Sequence, residues 1–242
     1  ITQYIKEHGH WGELESVICK IVTNKATNPI VIDAGSNLGG FALPVANHIQ
    51  DLNGSIHCFE PQRIIFQQLC ANVFINRLDN VYTYNVALGE KNIQIEIPEL
   101  DFSVSEFVGS LSLNKAIREK QNKKNKISNR KPHMVQQITL DSLALMEDVA
   151  FVKVDIEGME LDFFKGAVNT LKSNNYPPIF SEIWEFKWYR ESAIEIEKFL
   201  QSMGYKLTRF GKDIVAQHPA HKCQIQFHEE KKGLNITVTD NI

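Results

Sequence analysis

No apolar run in this chain approaches the about 18–20 residues that would cross a bilayer as a helix, and no signal peptide is legible. Cysteine is sparse. Cys19, Cys58, Cys70 and Cys223 stand apart and form no C-x-x-C pair, which argues against a zinc site or a disulfide framework. Cys58 falls in an apolar strand and Cys70 in a helical pattern, so packing thiols in a reducing, cytoplasmic setting are expected. An excess of one charge is missing too: a formal net charge of -3 weighs against nucleic-acid binding by the whole surface. There is no G-x-G-x-x-G fingerprint and no Tyr-x-x-x-Lys pair on a helix, which makes an NAD-dependent oxidoreductase a distant reading.

What is present is alternation. The 242 residues fit one large α/β domain with decorations. Strand patterns at 30–33, 55–60, 81–86, 149–155 and 178–184 alternate with helical patterns at 41–52, around Ile65, Leu69 and Val73, at about 159–171, and at 193–203 before a capping Gly204. This is the rhythm of a parallel sheet with helices on both faces. Residues 205–210 and 214–217, joined by Gly211-Lys212-Asp213, read instead as a hairpin. The division expected is an N-terminal helical or lid segment (1–29), a main domain (30–217) and a C-terminal extension (218–242) with strand-like pieces at 224–228 and 235–239. Residues 92–137 interrupt the main domain with an edge strand at 93–97. A basic insertion at about 99–134 follows, whose run of Lys115, Arg118, Lys120, Lys123, Lys124, Lys126, Arg130 and Lys131 is opposed over 115–131 by Glu119 alone.

The stretch Val31-Ile32-Asp33-Ala34-Gly35-Ser36-Asn37-Leu38-Gly39-Gly40 carries the most information. An apolar run ends in an acid, passes a Gly-rich turn and enters a helix, the unit that offers backbone N–H groups and a carboxylate to a nucleoside-containing ligand. Glycines at 35, 39 and 40 make a wider turn than a dinucleotide site uses, which favours S-adenosylmethionine (SAM) over NAD. In that reading Gly35 and Gly39 admit the aminoacyl end of SAM, and Asp33 organises the turn or meets the ammonium group through water. A turn whose glycines serve packing alone is the competing account. Glu60, before Pro61, is placed to accept hydrogen bonds from both ribose hydroxyls. Asn85 would reach the adenine edge or form a turn.

Lys153-Val154-Asp155-Ile156-Glu157-Gly158-Met159-Glu160 delivers charge at the carboxyl end of a buried strand, where open α/β sheets place their sites. Asp155 is the better functional candidate, while Glu157 and Glu160 suit helix capping equally well. Glu182, with Trp184 and Glu185 beyond it, closes the neighbouring strand. Together Asp155 and Glu182 would share a proton, act as a base or hold a divalent cation, a metal being least favoured for want of oxygen ligands. The order of candidate bases is Asp155, Glu182, Glu157. His10 and His133 are alternatives if their segments fold over the site, and Trp11 packs the N-terminal segment on the core or belongs to a lid.

Residues 31–40, Phe59-Glu60-Pro61, residues 85–90, Thr139-Leu140-Asp141-Ser142-Leu143 and residues 153–160 together resemble the FkbM family of SAM-dependent methyltransferases over residues 30–217. The resemblance implies a Rossmann-like class I α/β fold with a mostly parallel seven-stranded sheet, helices on both faces and a C-terminal antiparallel hairpin. It further implies SAM as cofactor, held by Asp33, Gly35, Asn37, Gly39 and Glu60, and O-methylation of a hydroxyl on a sugar, polyketide or similar metabolite. Asp155 and Glu157 match its second block. The acceptor is then a small molecule or glycan. The basic run would suit an anionic one, although a solvated loop is the plainer account. An RNA methyltransferase is the runner-up, opposed by the lack of aromatics interleaved with the basic run. A non-catalytic SAM-binding interaction module is the reading from another class.

Overall fold

The computed structural model describes residues 13–101, 111–121, 127, 131–145, 149–230 and 233–240. In chain order the elements are α1 (Glu13–Thr23), β1 (Ile30–Ala34), α2 (Ala42–Gln50), β2 (Ser55–Phe59), α3 (Arg63–Ile75), β3 (Val81–Tyr84), β4 (Ala87–Leu88), β5 (Ile93–Ile97), α4 (Lys115–Gln121) and β6 (His133–Ile138). After a short 3-10 turn at Leu140–Leu143 come β7 (Val149–Val154), α5 (Glu160–Lys165), α6 (Val168–Ser173), β8 (Ile179–Glu182), α7 (Arg190–Ser202), β9 (Lys206–Phe210), β10 (Asp213–Gln217), β11 (Cys223–Glu230) and β12 (Gly233–Asp240).

Seven strands form one sheet in the order β3-β2-β1-β7-β8-β10-β9, parallel except for β10, which pairs antiparallel with both β8 and β9. This is the Rossmann-like arrangement expected, with the hairpin at residues 205–217 closing one edge. The sequence of β7, Val149-Ala150-Phe151-Val152-Lys153-Val154, is buried along its whole length, as a central parallel strand covered on both faces must be. Alternation splits the core. Ile32, Val152 and Val154 face Phe163, Phe164 and Leu200, whereas Val31, Phe151 and Ile56 face Ile18, Val45 and Ile49. The chain builds β2 and β3 on one side of β1 and β7 to β10 on the other, so strand order reverses between β1 and β7, the place where such sheets bind ligands.

Three expectations change. Residues 159–171 form two short helices rather than one. Gly166 approaches Gly89 so closely that a Cβ would lie 2.1 Å from the Gly89 carbonyl oxygen. There the helix stops and restarts, with the Asp141 carboxylate accepting the Asn169 and Thr170 amides at 3.1 and 2.7 Å. The strand expected at 81–86 ends at Tyr84 because Asn85 turns to donate to the backbone oxygens of Glu60 and Pro61. The interruption at 92–137 is partly ordered: β5 is the edge of a second, three-stranded sheet in the order β4-β6-β5. The extension after residue 218 is an antiparallel ribbon, β11–β12, which returns against α1 and sets Phe227 edge-on to Phe210 at 4.8 Å. Among the described residues all four thiols are free and no helix is long and apolar enough to cross a membrane.

Candidate active site

The Gly-rich turn is held by β2. Gly35 and Ser36 both donate their amides to the Phe59 carbonyl, and the Ser36 hydroxyl donates back to the Asp33 carbonyl at 2.8 Å. Gly35 has φ +82°, and a Cβ there would sit 1.9 Å from the Asp155 carbonyl oxygen. The space this glycine leaves is therefore filled by protein backbone, not kept open for a ligand. Gly39, at φ +90°, packs instead on the side chains of Leu43 and Leu69. Asn37, also left-handed at φ +50°, ends the tight part of the turn.

Asp33 points inward. It stands opposite Lys153 in the β1–β7 register and lies fully buried, its carboxylate 3.1 Å from the Lys153 ammonium. That ammonium also donates to the Gly35 carbonyl at 3.1 Å and lies 3.8 Å from Asp155. Burial raises the Asp33 pKa, and the Lys153 charge pulls against it. For Lys153, burial disfavours the charge, but Asp33 and Asp155 outweigh it and hold the ammonium firmly protonated. Asp33 is thus joined to the turn through Lys153, which donates to the Gly35 carbonyl. Sequence reading gave Lys153 no role and missed Glu15 altogether. Glu15 comes from α1 and its pKa is raised, first by burial and then by Asp155 and Asp33, with Lys153 opposing. Nothing in the spacing of α1 marks it.

Glu60 ends β2 with one oxygen accepting the Asn37 amide at 3.0 Å and the other the Gln62 amide at 2.8 Å. Burial pushes its pKa up to about 7, against those two hydrogen bonds. Beside it, Asn37 Oδ1 and Gln62 Nε2 are buried with no partner among the described residues. Unpaired buried polar atoms are costly, and Asn37 and Gln62 each leave one on the turns whose amides hold Glu60. Gln62 was not anticipated. Asn85 sits at this turn, but its amide nitrogen donates to the Glu60 and Pro61 carbonyls at 2.9 and 3.1 Å, so it braces the loop.

On the other side of the switch point stand the acids. Register pairs Val154 with Ser181, so Asp155 and Glu182 leave adjacent strands side by side. Asp155 is partly exposed. Glu182 is engaged: its oxygens accept the Trp184 indole N–H at 2.9 Å and the Lys212 ammonium at 2.7 Å. Glu157, at φ +57°, accepts from Gln121 of α4 at 3.4 Å. Glu160, the first residue of α5, is buried, accepts the Gly158 amide and the Tyr189 hydroxyl, and is pushed up by burial to about 7. Asp213, opposite Glu182 on β10, is pushed by burial up to about 6. His133 lies on β6 with its Nδ1 3.5 Å from Glu99. His10, Trp11, Lys123, Lys124, Lys126 and Arg130 fall outside the described residues. Among the described residues no group of three or more His, Cys, Asp or Glu is arranged to hold a metal ion.

The segment leaving β8 is aromatic. Trp184 is buried against Gly158, whose Cβ would lie 3.1 Å from the indole. Phe186 and Trp188 stack in parallel at 5.5 Å, and Trp188 meets Tyr189 edge-on at 5.7 Å. Helix α4 reaches this place from the basic insertion: Lys120 lies 5.6 Å over the Trp188 ring, and Ile117 packs beside Gly158.

A reversed-order parallel sheet, a Gly-rich turn after β1 and an acid closing β2 define a Rossmann-like methyltransferase fold. Two solved structures share it: the methyltransferase FkbM of Methylobacillus flagellatus KT, with a TM-score of 0.51 and 16% identity over 79% of this chain, and a protein of Corynebacterium glutamicum, with 0.52 and 12% over 91% of this chain and 88% of its own. This chain spans 44% of the Methylobacillus protein's length. Residues 33–207 match the methyltransferase FkbM domain, and the chain belongs to that family. No curated protein matches it.

Proposed function

We propose that this chain binds SAM and methylates a hydroxyl of a sugar, glycan or related small metabolite. The observation that carries the reading is the buried carboxylate of Glu60, flanked by the unpartnered Asn37 Oδ1 and Gln62 Nε2 at the switch point of the sheet. Each Glu60 oxygen takes one backbone amide and keeps a lone pair for a ribose hydroxyl. Asn37, Gln62 and the turn from Gly35 to Gly39 complete the cofactor side, with Asp33 and Lys153 beneath holding the turn in place.

Bound SAM supplies a methyl group already activated by its sulfonium. The chain's own tasks are to align the acceptor oxygen, exclude water and take the hydroxyl proton. Asp155 is the base: its carboxylate is partly exposed where β7 ends and has the Lys153 ammonium no nearer than 3.8 Å, whereas Glu182 is hydrogen-bonded to Lys212 and Trp184. As the acceptor oxygen takes the methyl group that bound SAM would supply, its proton would pass to Asp155. A base in this position contributes about 10²–10⁴-fold. The test is titration calorimetry with S-adenosylhomocysteine, followed by incubation with SAM and a set of saccharide and polyol acceptors. Binding together with acceptor-dependent formation of S-adenosylhomocysteine supports the reading. Binding without turnover on any acceptor favours a non-catalytic module, and no binding removes the cofactor assignment.

A further inference from the structure

We propose that Phe186, backed by Trp188, is the shelf on which the acceptor lies, and that its occupant is a saccharide ring presenting its C–H face to the phenyl group. This rests on the methyl-transfer reading above. Phe186 is 53% exposed. Other apolar side chains are exposed too, but Phe186 stands in the loop that leaves β8, four residues beyond Glu182. Its parallel stack on Trp188 makes a stiff wall rather than a loose side chain, and Lys120 lies over the Trp188 ring. That leaves Phe186 as the open member of the pair.

The wall is fastened to both acid-bearing strand ends. Trp184, 5.9 Å from each of Phe186 and Trp188, packs on Gly158 and donates to Glu182. Tyr189, edge-on to Trp188, donates its hydroxyl to Glu160. A ring seated on Phe186 is therefore held at a fixed place relative to the end of β7, where Asp155 emerges.

The surroundings choose the occupant. A flat phenolic acceptor asks for a closed apolar slot, but the rings that carry Phe186 are themselves anchored on hydrogen-bonding groups: Trp184 donates to Glu182, which also takes Lys212, and Lys120 lies over Trp188. A half-exposed apolar ring whose supports carry a carboxylate and ammonium groups complements a molecule that is itself apolar on one face and hydroxylated along its edge. A pyranose has that form. A stacked nucleobase would use the same ring, and it enters the test as a competitor.

The test is saturation-transfer NMR on the full chain loaded with S-adenosylhomocysteine, using methyl glucopyranoside, methyl galactopyranoside and methyl glucuronide, with catechol and oligouridylate as comparison ligands. The expected result is strongest saturation on the axial C–H protons of one sugar face, loss of saccharide affinity by about tenfold in Phe186→Ala and its retention in Phe186→Trp. Affinity for S-adenosylhomocysteine and the thermal midpoint should not change, because the replaced ring is half in solvent. Undiminished sugar binding in Phe186→Ala would overturn the proposal, as would binding of catechol or oligouridylate where no pyranoside binds. Failure to bind S-adenosylhomocysteine would instead strike the cofactor assignment, and the sugar result on the unloaded protein would still decide for or against the shelf.

Discussion

The two halves of the rim are built differently. On the β1–β2 half, backbone amides do the holding: Phe59 secures the turn, and the Asn37 and Gln62 amides aim Glu60. On the β7–β8–β10 half, side chains hold side chains: Lys212 on Glu182, Gln121 on Glu157, Lys120 on Trp188. Backbone geometry depends on a few residue types at fixed spacing. Side-chain partnerships depend on segments far apart in the chain and change by single substitutions. A methyl donor common to many acceptors suits the first construction, and a variable acceptor suits the second.

The seam between the halves is Lys153, and breaking it should give the largest effect. Lys153→Met leaves Asp33 as a buried, uncompensated carboxylate, which costs about 3–5 kcal/mol. Urea denaturation should show this loss, and Asp33→Asn combined with Lys153→Met should restore much of it. A single variant as stable as the parent would mean that the ammonium does not pin the turn. Next comes Asp155→Asn, expected to slow methyl transfer by about 10²–10⁴-fold while S-adenosylhomocysteine affinity stays within about threefold. Near-normal turnover would remove Asp155 as base.

The smallest effect sharpens the cofactor half. In the proposed site ribose hydroxyls would donate to the ionised form of Glu60, so binding would lower its pKa from about 7 in the free protein. Affinity should accordingly be full above that pH and fall as pH drops through it, by at most about tenfold per unit until the bound-state pKa is reached. Glu60→Gln should flatten this profile in calorimetry and weaken binding by about 1–3 kcal/mol. A parent profile that is flat between pH 5 and 8, a window of about three units around that value, would place the ribose elsewhere.

The same contrast explains what could be read from the sequence. Continuous apolar runs at β1 and β7, alternation with helices, and the Asp33–Gly40 spacing are local signals, and they suffice for the sheet, its hairpin and the switch point. Strand β6 was hidden because its inward positions are Val135 and Gln137, and a buried glutamine, here donating to the Lys91 carbonyl, breaks the apolar alternation. The break at Gly166 depends on Gly89, far off in the chain. Glu15, Gln62, Lys212 and Phe186 gain meaning only from neighbours that folding supplies. The extension after residue 218 also carried its signal, two alternating pieces, but not its destination against α1.

Gly35 has one more implication. A single added methyl there would strike the Asp155 carbonyl, so the turn after β1 and the loop after β7, to which we assign donor binding and the base, meet backbone to backbone. Neither can shift to suit a new acceptor without dislodging the other. Diversification is therefore steered outward, to the turn at Lys212, the loop at Phe186 and the helix that ends at Gln121, where a change of partner leaves the donor's seat undisturbed.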